Sequence, residues 1–462
     1  MSHPPSPDAA RLAPGTRVHL ADGVRRYGPR LLAGGAPWRL VRLSVGAVRA
    51  IHEWQGGAPL RAPQVALARR LVDEGLLDCE YPVRLEPADV DVIVPVRDDP
   101  RVEGLLGALS GLFVTLVDDA SVDADAVAGL AARHGASLVR LETNLGPGAA
   151  RNAGLAATSR PLVWFLDADL ALEDAHGVLA RLARHLADER VGAVAPRVLG
   201  PPGRSARERF EWLSSPLDQG SRSGAVRPGA PISYVPAACL LVRRRAIGEG
   251  FTTALRVGED VDLVWRLADE GWIVRYDARV RVAHPARDTW ADWLAQRVAY
   301  GASAAALASR HGSRVAPLRL NASALGVWSF ALSGRVGAAI TTGARVRARV
   351  ARSLGPESAH AGALTARGLL EGFGANARSG LRHFPYVIAA ALLARRTRRA
   401  ALVVLVAGLA QRWRARRPRP LDVGLGLLDD TAYAVGLLVG ARRERTLAHL
   451  RPTLRRAPAA RT

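Results

Sequence analysis

Between residues 88 and 300, short apolar runs recur with room for one helix between successive runs. The first is Asp91-Val92-Ile93-Val94-Pro95-Val96; others lie at 112–117, 137–141, 162–166 and 191–195. The intervening segments, 102–110, 124–134, 148–157 and 177–188, carry helical patterning. Strands buried on both faces read as unbroken apolar runs, and parallel neighbours need a crossover between them. The alternation therefore predicts an α/β fold: βαβ units forming a mostly parallel sheet flanked by helices. Ligands of such sheets bind beyond the carboxyl ends of the strands, so the residues that follow each run are the ones to read for chemistry.

Those residues are charged. The first run ends in Pro95-Val96-Arg97-Asp98-Asp99 and the second in Val117-Asp118-Asp119-Ala120-Ser121. The fourth ends in Phe165-Leu166-Asp167-Ala168-Asp169. Two carboxylates two residues apart after a buried strand cannot both relax into a core. They suit a hard divalent cation, Mg²⁺ or Mn²⁺, shared with substrate phosphates, although Asp-x-Asp also occurs in ordinary surface turns. The third run leads into Asn144-Leu145-Gly146-Pro147-Gly148-Ala149-Ala150-Arg151-Asn152-Ala153-Gly154. This is not a dinucleotide fingerprint, because Arg151 stands where the third glycine belongs and the segment follows the third strand. A glycine-rich turn opening a helix can still face a phosphate, with Arg151 as a positive fork; the bland reading is a helix start with a solvated arginine.

Further on, Gly258-Glu259-Asp260-Val261-Asp262 opens a helix whose Leu263, Val264 and Leu267 share one face. Acids in a first turn suit the helix dipole; one of them could equally serve as a general base. His284 ends another strand-like run, and a lone histidine is more often structural than a ligand.

The flanks read differently. Residues 15–86 suggest a small α+β module resembling a winged helix: strands at 18–20 and 38–43, a hairpin at 23–32, a helix capped by Ser44 and a second helix within 63–77 that ends at Gly75. Either it caps the next domain or it docks a partner peptide. Residues 301–462 are Ala-, Leu- and Arg-rich and helical in pattern. Their apolar pieces, at 320–334, 383–394, 400–410 and 431–441, each fall short of the roughly 18 residues of a spanning helix. They fit a helical domain or interfacial helices whose arginine clusters meet an anionic membrane surface. Residues 1–14 lack the apolar core of a signal peptide. Cys79 and Cys239 show no metal or disulfide spacing, so a reducing cytoplasm is expected.

All 64 basic residues are arginine against 42 acids, a formal charge of +22. That favours an anionic partner. Arginine is nevertheless scattered over all three regions with no concentrated recognition helix, which argues against nucleic acid. The non-enzyme alternatives are a winged-helix nucleic-acid-binding protein and a peptide carrier using 15–86 alone.

Taken in order over about 200 residues, the motifs resemble the GT-A catalytic domain of family 2 glycosyltransferases. The resemblance implies a nucleotide-sugar transferase in which Pro95, Arg97 and Asp119 contact uridine and Arg151 contacts base or phosphate. It places Asp167 at the ribose or donor sugar, Asp169 on the metal, His284 as a further metal ligand and Asp260 as the base, with Glu259 and Asp262 as competitors for that role. Ala120 departs from the glycine usual at its position. Over residues 15–460 the chain resembles, more narrowly, the glycosyltransferases of the mycofactocin system. The carrying segments are Gly35-Ala36-Pro37-Trp38-Arg39-Leu40-Val41-Arg42-Leu43 and His284-Pro285-Ala286-Arg287-Asp288-Thr289-Trp290, running into Arg297-Val298-Ala299-Tyr300-Gly301. That likeness implies a UDP-sugar donor, a mycofactocin precursor peptide or its processed form as acceptor, and inverting transfer of glucose in β-linkage. A lipid-linked or cell-envelope acceptor at the membrane is the alternative.

Overall fold

The computed structural model describes residues 4, 12, 14–81 and 89–455; the expected boundary at 86–88 and most of 1–14 lie outside them. The chain divides into two compact units. One runs up to Arg25 and continues over Leu32–Ala286; the other joins Arg26–Leu31 to the chain from Arg287 onward.

The N-terminal segment forms strands β1 (Arg17–Leu20), β2 (Arg25–Tyr27), β3 (Leu31–Gly34) and β4 (Arg39–Arg42), then helix α1 (Val45–Gln55). Ser44 caps α1 as read, its Oγ accepting from Ala47 N–H at 3.1 Å, and Ile51 and Trp54 are buried on its inner face. Helix α2 (Val65–Asp73) stops two residues before Gly75, where the expected helix ended. Gly75, at φ +70°, turns the chain into β5 (Leu77–Glu80), which pairs antiparallel with β1. That pairing was invisible in the sequence because its partner lies some 60 residues away.

The largest sheet among the described residues has eight strands in the order β11-β13-β10-β12-β9-β6-β7-β8. They are β6 (Val90–Val96), β7 (Phe113–Asp119), β8 (Ser137–Leu141), β9 (Leu162–Leu166), β10 (Val191–Leu199), β11 (Gly224–Val226), β12 (Cys239–Arg243) and β13 (Ile273–Ala283). β8, β7, β6 and β9 are parallel neighbours, and β10 is parallel to β13. β12 lies antiparallel between β9 and β10, and β11 antiparallel on β13. Helices α3 (Val102–Ala108), α4 (Ala124–Arg133), α5 (Pro147–Ala156) and α6 (Ala175–Ala183) make the expected crossovers. They are followed by α7 (Ala206–Ser214), α8 (Arg244–Ile247) and α9 (Glu259–Asp269). Val92, Val94, Leu116, Trp164, Leu166 and Val194 are fully buried in one continuous core. Gly154 lets α5 lie close on the sheet: a Cβ there would stand 2.5 Å from Ile93 Cγ2. Both cysteines are buried and free.

The second unit holds α10 (Trp290–His311), which runs through residue 300, then α11 (Ala322–Leu332), α12 (Val336–Leu354) and α13 (Ala361–His383). α14 (Pro385–Leu393), α15 (Arg398–Arg412) and α16 (Pro420–Arg443) complete it. α10 and α16 meet backbone to backbone. A Cβ at Gly301 would collide with the Tyr433 carbonyl oxygen, and one at Gly436 with that of Val298. The apolar piece expected at 431–441 begins just after Asp429-Asp430; the structure runs one 24-residue helix through both, long and apolar enough by length and composition to cross a membrane, with half of that stretch buried in the fold. The two aspartates are tolerated because four arginines neutralise them. Arg297 and Arg412 each hold Asp429 at 2.8 Å, Arg378 grips Asp430 with two bonds of 2.7 and 2.8 Å, and Arg382 reaches both. Burial alone would raise the Asp429 carboxyl, but Arg382, Arg412 and Arg297 hold it down at about 2.

Candidate active site

The loops that leave the carboxyl ends of β6, β7, β9 and β13 meet at one edge of the sheet. After β9 the Asp167 N–H donates to the Ala238 carbonyl at 2.9 Å, and the turn carries Asp169 two residues on. β13 ends beside β10, and the His284 N–H donates to Leu199 O at 2.8 Å, which brings its ring to the same place. His284 Nε2 then lies 3.2 Å from Asp169 Oδ1 and 4.0 Å from Asp167 Oδ2. All three residues offer a ligand atom within 4.8 Å of one another. His284 Nδ1 stands 2.9 Å from the Pro285 carbonyl. A carbonyl oxygen only accepts, so Nδ1 donates to it, and this contact aims Nε2 at the two carboxylates. Two carboxylates and an imidazole oriented by a backbone carbonyl fit Mn²⁺ or Mg²⁺. The sequence set Asp169 and His284 on the metal and Asp167 on the sugar; the structure puts all three within reach of one ion.

Arg151 lies at the centre of the site and is buried, 3% exposed. Its Nη2 donates to Asp167 Oδ1 at 2.7 Å and its Nη1 to Glu259 Oε1 at 2.8 Å. Its guanidinium also sits over the Phe251 ring at 5.2 Å. Burial opposes its charge, but Asp167 and Glu259 raise its pKa above the usual arginine range. Arg151, expected on base or phosphate, ties the β9 loop to the start of α9. The reason is geometric: α5 presents it inward, where two carboxylates converge.

The same pairing separates the three acids of α9. Gly258, at φ +88°, turns the chain into the helix, a conformation that favours glycine. Glu259 is buried against Arg151. Asp262 is fully buried, accepting from Thr252 Oγ1 at 2.7 Å and Arg266 Nε at 2.9 Å. Asp260 is only partly buried, and its Oδ1 accepts from the Val261 N–H at 2.7 Å. Burial, with the neighbouring Glu259 charge, pushes its pKa up to about 7.

The remaining candidates form the rim. Pro95 is half-buried in β6 opposite Val117. Arg97 is half-exposed, with its Nε 3.7 Å from Asp98 Oδ2. Asp119, expected on uridine, accepts from Leu145 N–H through one oxygen and Gly146 N–H through the other, both at 2.8 Å. It holds the glycine-rich loop in place. Ala120 adopts φ +60°, the left-handed conformation the more usual glycine would take without strain. The sequence reading missed Arg101. Asp99 grips it with two 2.8 Å bonds, and its Nη2 lies 3.9 Å from Asp169 Oδ2. Its signal was position, a cation just beyond the acidic end of the first strand.

Residues 108–251 match the family model described as glycosyl transferase family 2. The chain is 36% identical to a pre-mycofactocin glycosyltransferase of Mycobacterium tuberculosis, over 97% of this chain and 99% of that protein. It is 29% identical to an N-acetylglucosaminyl-diphospho-decaprenol L-rhamnosyltransferase of the same organism, over 49% of this chain and 87% of that one. Among solved structures, a mannosyltransferase from Pyrobaculum calidifontis in complex with GDP-mannose and Mn²⁺ aligns over 78% of this chain and 90% of its own, at 20% identity and a TM-score of 0.45.

Proposed function

The chain belongs to the family 2 glycosyltransferases, among the pre-mycofactocin glycosyltransferases, and from that premise we propose that it moves glucose from UDP-glucose onto the peptide-derived mycofactocin precursor with inversion at the anomeric carbon. The observation that carries the reading is the arrangement around Arg151, which joins the Asp167, Asp169 and His284 cluster to the helix start that bears Asp260.

Asp260 is the base. Glu259 and Asp262 are committed to arginine partners, whereas Asp260 keeps a carboxyl near neutrality, where a general base is most effective. It takes the proton from an acceptor hydroxyl as that oxygen attacks the anomeric carbon from the face opposite the diphosphate. One bond forms, the bond from C1 to the phosphate oxygen breaks, and an α-linked donor gives a β-glycoside. Asp167, Asp169 and His284 would hold a divalent cation, which when bound supplies Lewis-acid stabilisation of the departing diphosphate. Pro95 and Arg97 border the nucleoside. Arg151 keeps the donor side and the base in register, and positioning of this kind carries much of the rate in a displacement without a protein nucleophile.

The test is purified protein with UDP-glucose, the pre-mycofactocin acceptor and Mn²⁺ or Mg²⁺. Mass spectrometry should show hexose increments on the acceptor, and NMR a β-anomeric product. Retention of configuration would reject the single displacement. Transfer from a different nucleotide sugar would replace the donor assignment. Transfer only to a polyprenyl-diphosphate sugar would favour the lipid-linked acceptor, the reading for which the partial likeness to the rhamnosyltransferase speaks.

A further inference from the structure

From Gly372 to Leu421 the chain carries eleven arginines and no acidic residue. Three of them, Arg378, Arg382 and Arg412, are neutralised by Asp429 and Asp430. The others collect at the two ends of α15: Arg395, Arg396, Arg398 and Arg399 before its body, and Arg414, Arg416, Arg417 and Arg419 after it. Arg398 turns back to the Leu392 carbonyl at 2.9 Å and closes the end of α14; Arg395, Arg396 and Arg399 are exposed. Between the clusters α15 is two-faced. Gly408 fits against α13, where its Cβ would stand 3.0 Å from the Ala377 carbonyl oxygen. On the outside, Leu402, Val403 and Val406 are exposed, Val406 by 64%. α14 continues this surface with Tyr386, Val387 and Leu393, the last 81% exposed, and buries no residue of its own.

We propose that the α14–α15 hairpin docks flat on an anionic lipid bilayer. Apolar side chains on one face with arginines at both ends form an interfacial helix, the apolar groups entering the acyl boundary while the long arginine stems reach the headgroups. The helix cannot cross: its 15 residues reach only about 22 Å, short of a hydrocarbon core of roughly 30 Å. With both of its ends basic, the orientation that satisfies both clusters is in the plane of one leaflet. A second copy is a poor occupant, because it would bring two strongly basic surfaces face to face. The surface is separate from the residues assigned to sugar transfer, so this inference stands or falls independently of the donor and acceptor.

The test is co-sedimentation of the full chain with vesicles of phosphatidylcholine, with and without phosphatidylglycerol. Binding should require phosphatidylglycerol and weaken as salt is raised. Each arginine near such a surface contributes roughly fivefold in partitioning, so the double variant Arg395→Gln/Arg396→Gln should bind about 25-fold more weakly. Leu402→Gln/Val406→Gln should lower binding to the same vesicles without altering the circular dichroism spectrum, since both side chains are already in water. Failure of the wild-type chain to bind anionic vesicles would overturn the proposal. So would binding that neither variant weakens, or a dimer in light scattering that Val406→Arg dissociates.

Discussion

Replacing Asp260 with asparagine should remove activity and add stability, and the two effects share one cause. The carboxyl rises from an ordinary 3.8 to about 7 because burial and Glu259 disfavour its charge. Holding it ionised well above pH 7 therefore costs the folded state at most about 4 kcal/mol, less for the solvent that still reaches it. The folded-state value lies above the unfolded one, so between about pH 4 and pH 7 the native protein binds the extra proton. This contribution to stability is present below pH 4, is lost as pH rises, and levels off above 7. Asp260→Asn removes that slope. Thermal unfolding of the two proteins should coincide near pH 4 and diverge toward pH 8, with the variant the more stable. Activity moves the other way: kcat/KM of the wild type should fall about tenfold per pH unit below 7. The variant should lose about 10²–10⁴-fold at every pH and show no such limb. A wild-type profile flat down to pH 5 would refute the raised carboxyl. Near-normal turnover by Asp260→Asn would move the base out of this position, whatever the stability data show.

Other outcomes follow from the site and its supports. Arg151→Met leaves Asp167 and Glu259 without their shared counter-charge and should destabilise by about 3–5 kcal/mol in denaturant titration; Arg151→Lys should recover part of the stability but not the two-pronged grip. His284→Ala should weaken Mn²⁺ binding by 10-fold or more in titration calorimetry while leaving the unfolding midpoint without metal nearly unchanged. Ala120→Gly relieves a left-handed backbone and should stabilise by about 1 kcal/mol. Gly301→Ala drives a methyl into the Tyr433 carbonyl and should cost several kcal/mol, read as loss of helical signal at lower denaturant.

What could be read in the sequence was local. The apolar runs at 91–96, 112–117, 137–141 and 162–166 became β6 to β9 because a buried parallel strand needs little beyond its own side chains to declare itself. Asp167, Asp169 and Asp260 stood out because charges next to such runs have few places to go. What stayed hidden depended on distant partners. β12 inserts antiparallel between β9 and β10, an order set by pairing across the sheet rather than by neighbours in the chain. The tie from Arg151 to Glu259 was hidden because the two stand 108 residues apart. The full length of α16 was hidden because the arginines that neutralise Asp429 and Asp430 come from α10, α13 and α15.

One guanidinium with two carboxylate clients cannot serve them separately. Whatever draws Asp167 away, a cation or a sugar hydroxyl, leaves Arg151 to lean wholly on Glu259 and so alters the field at the next residue, Asp260. On the proposed mechanism, filling the donor side would thereby be felt at the proton acceptor through charge. Substitutions at Asp167 and Glu259 will accordingly fail to add, and the shortfall in a double-mutant cycle measures how tightly the two halves of the reaction are coupled.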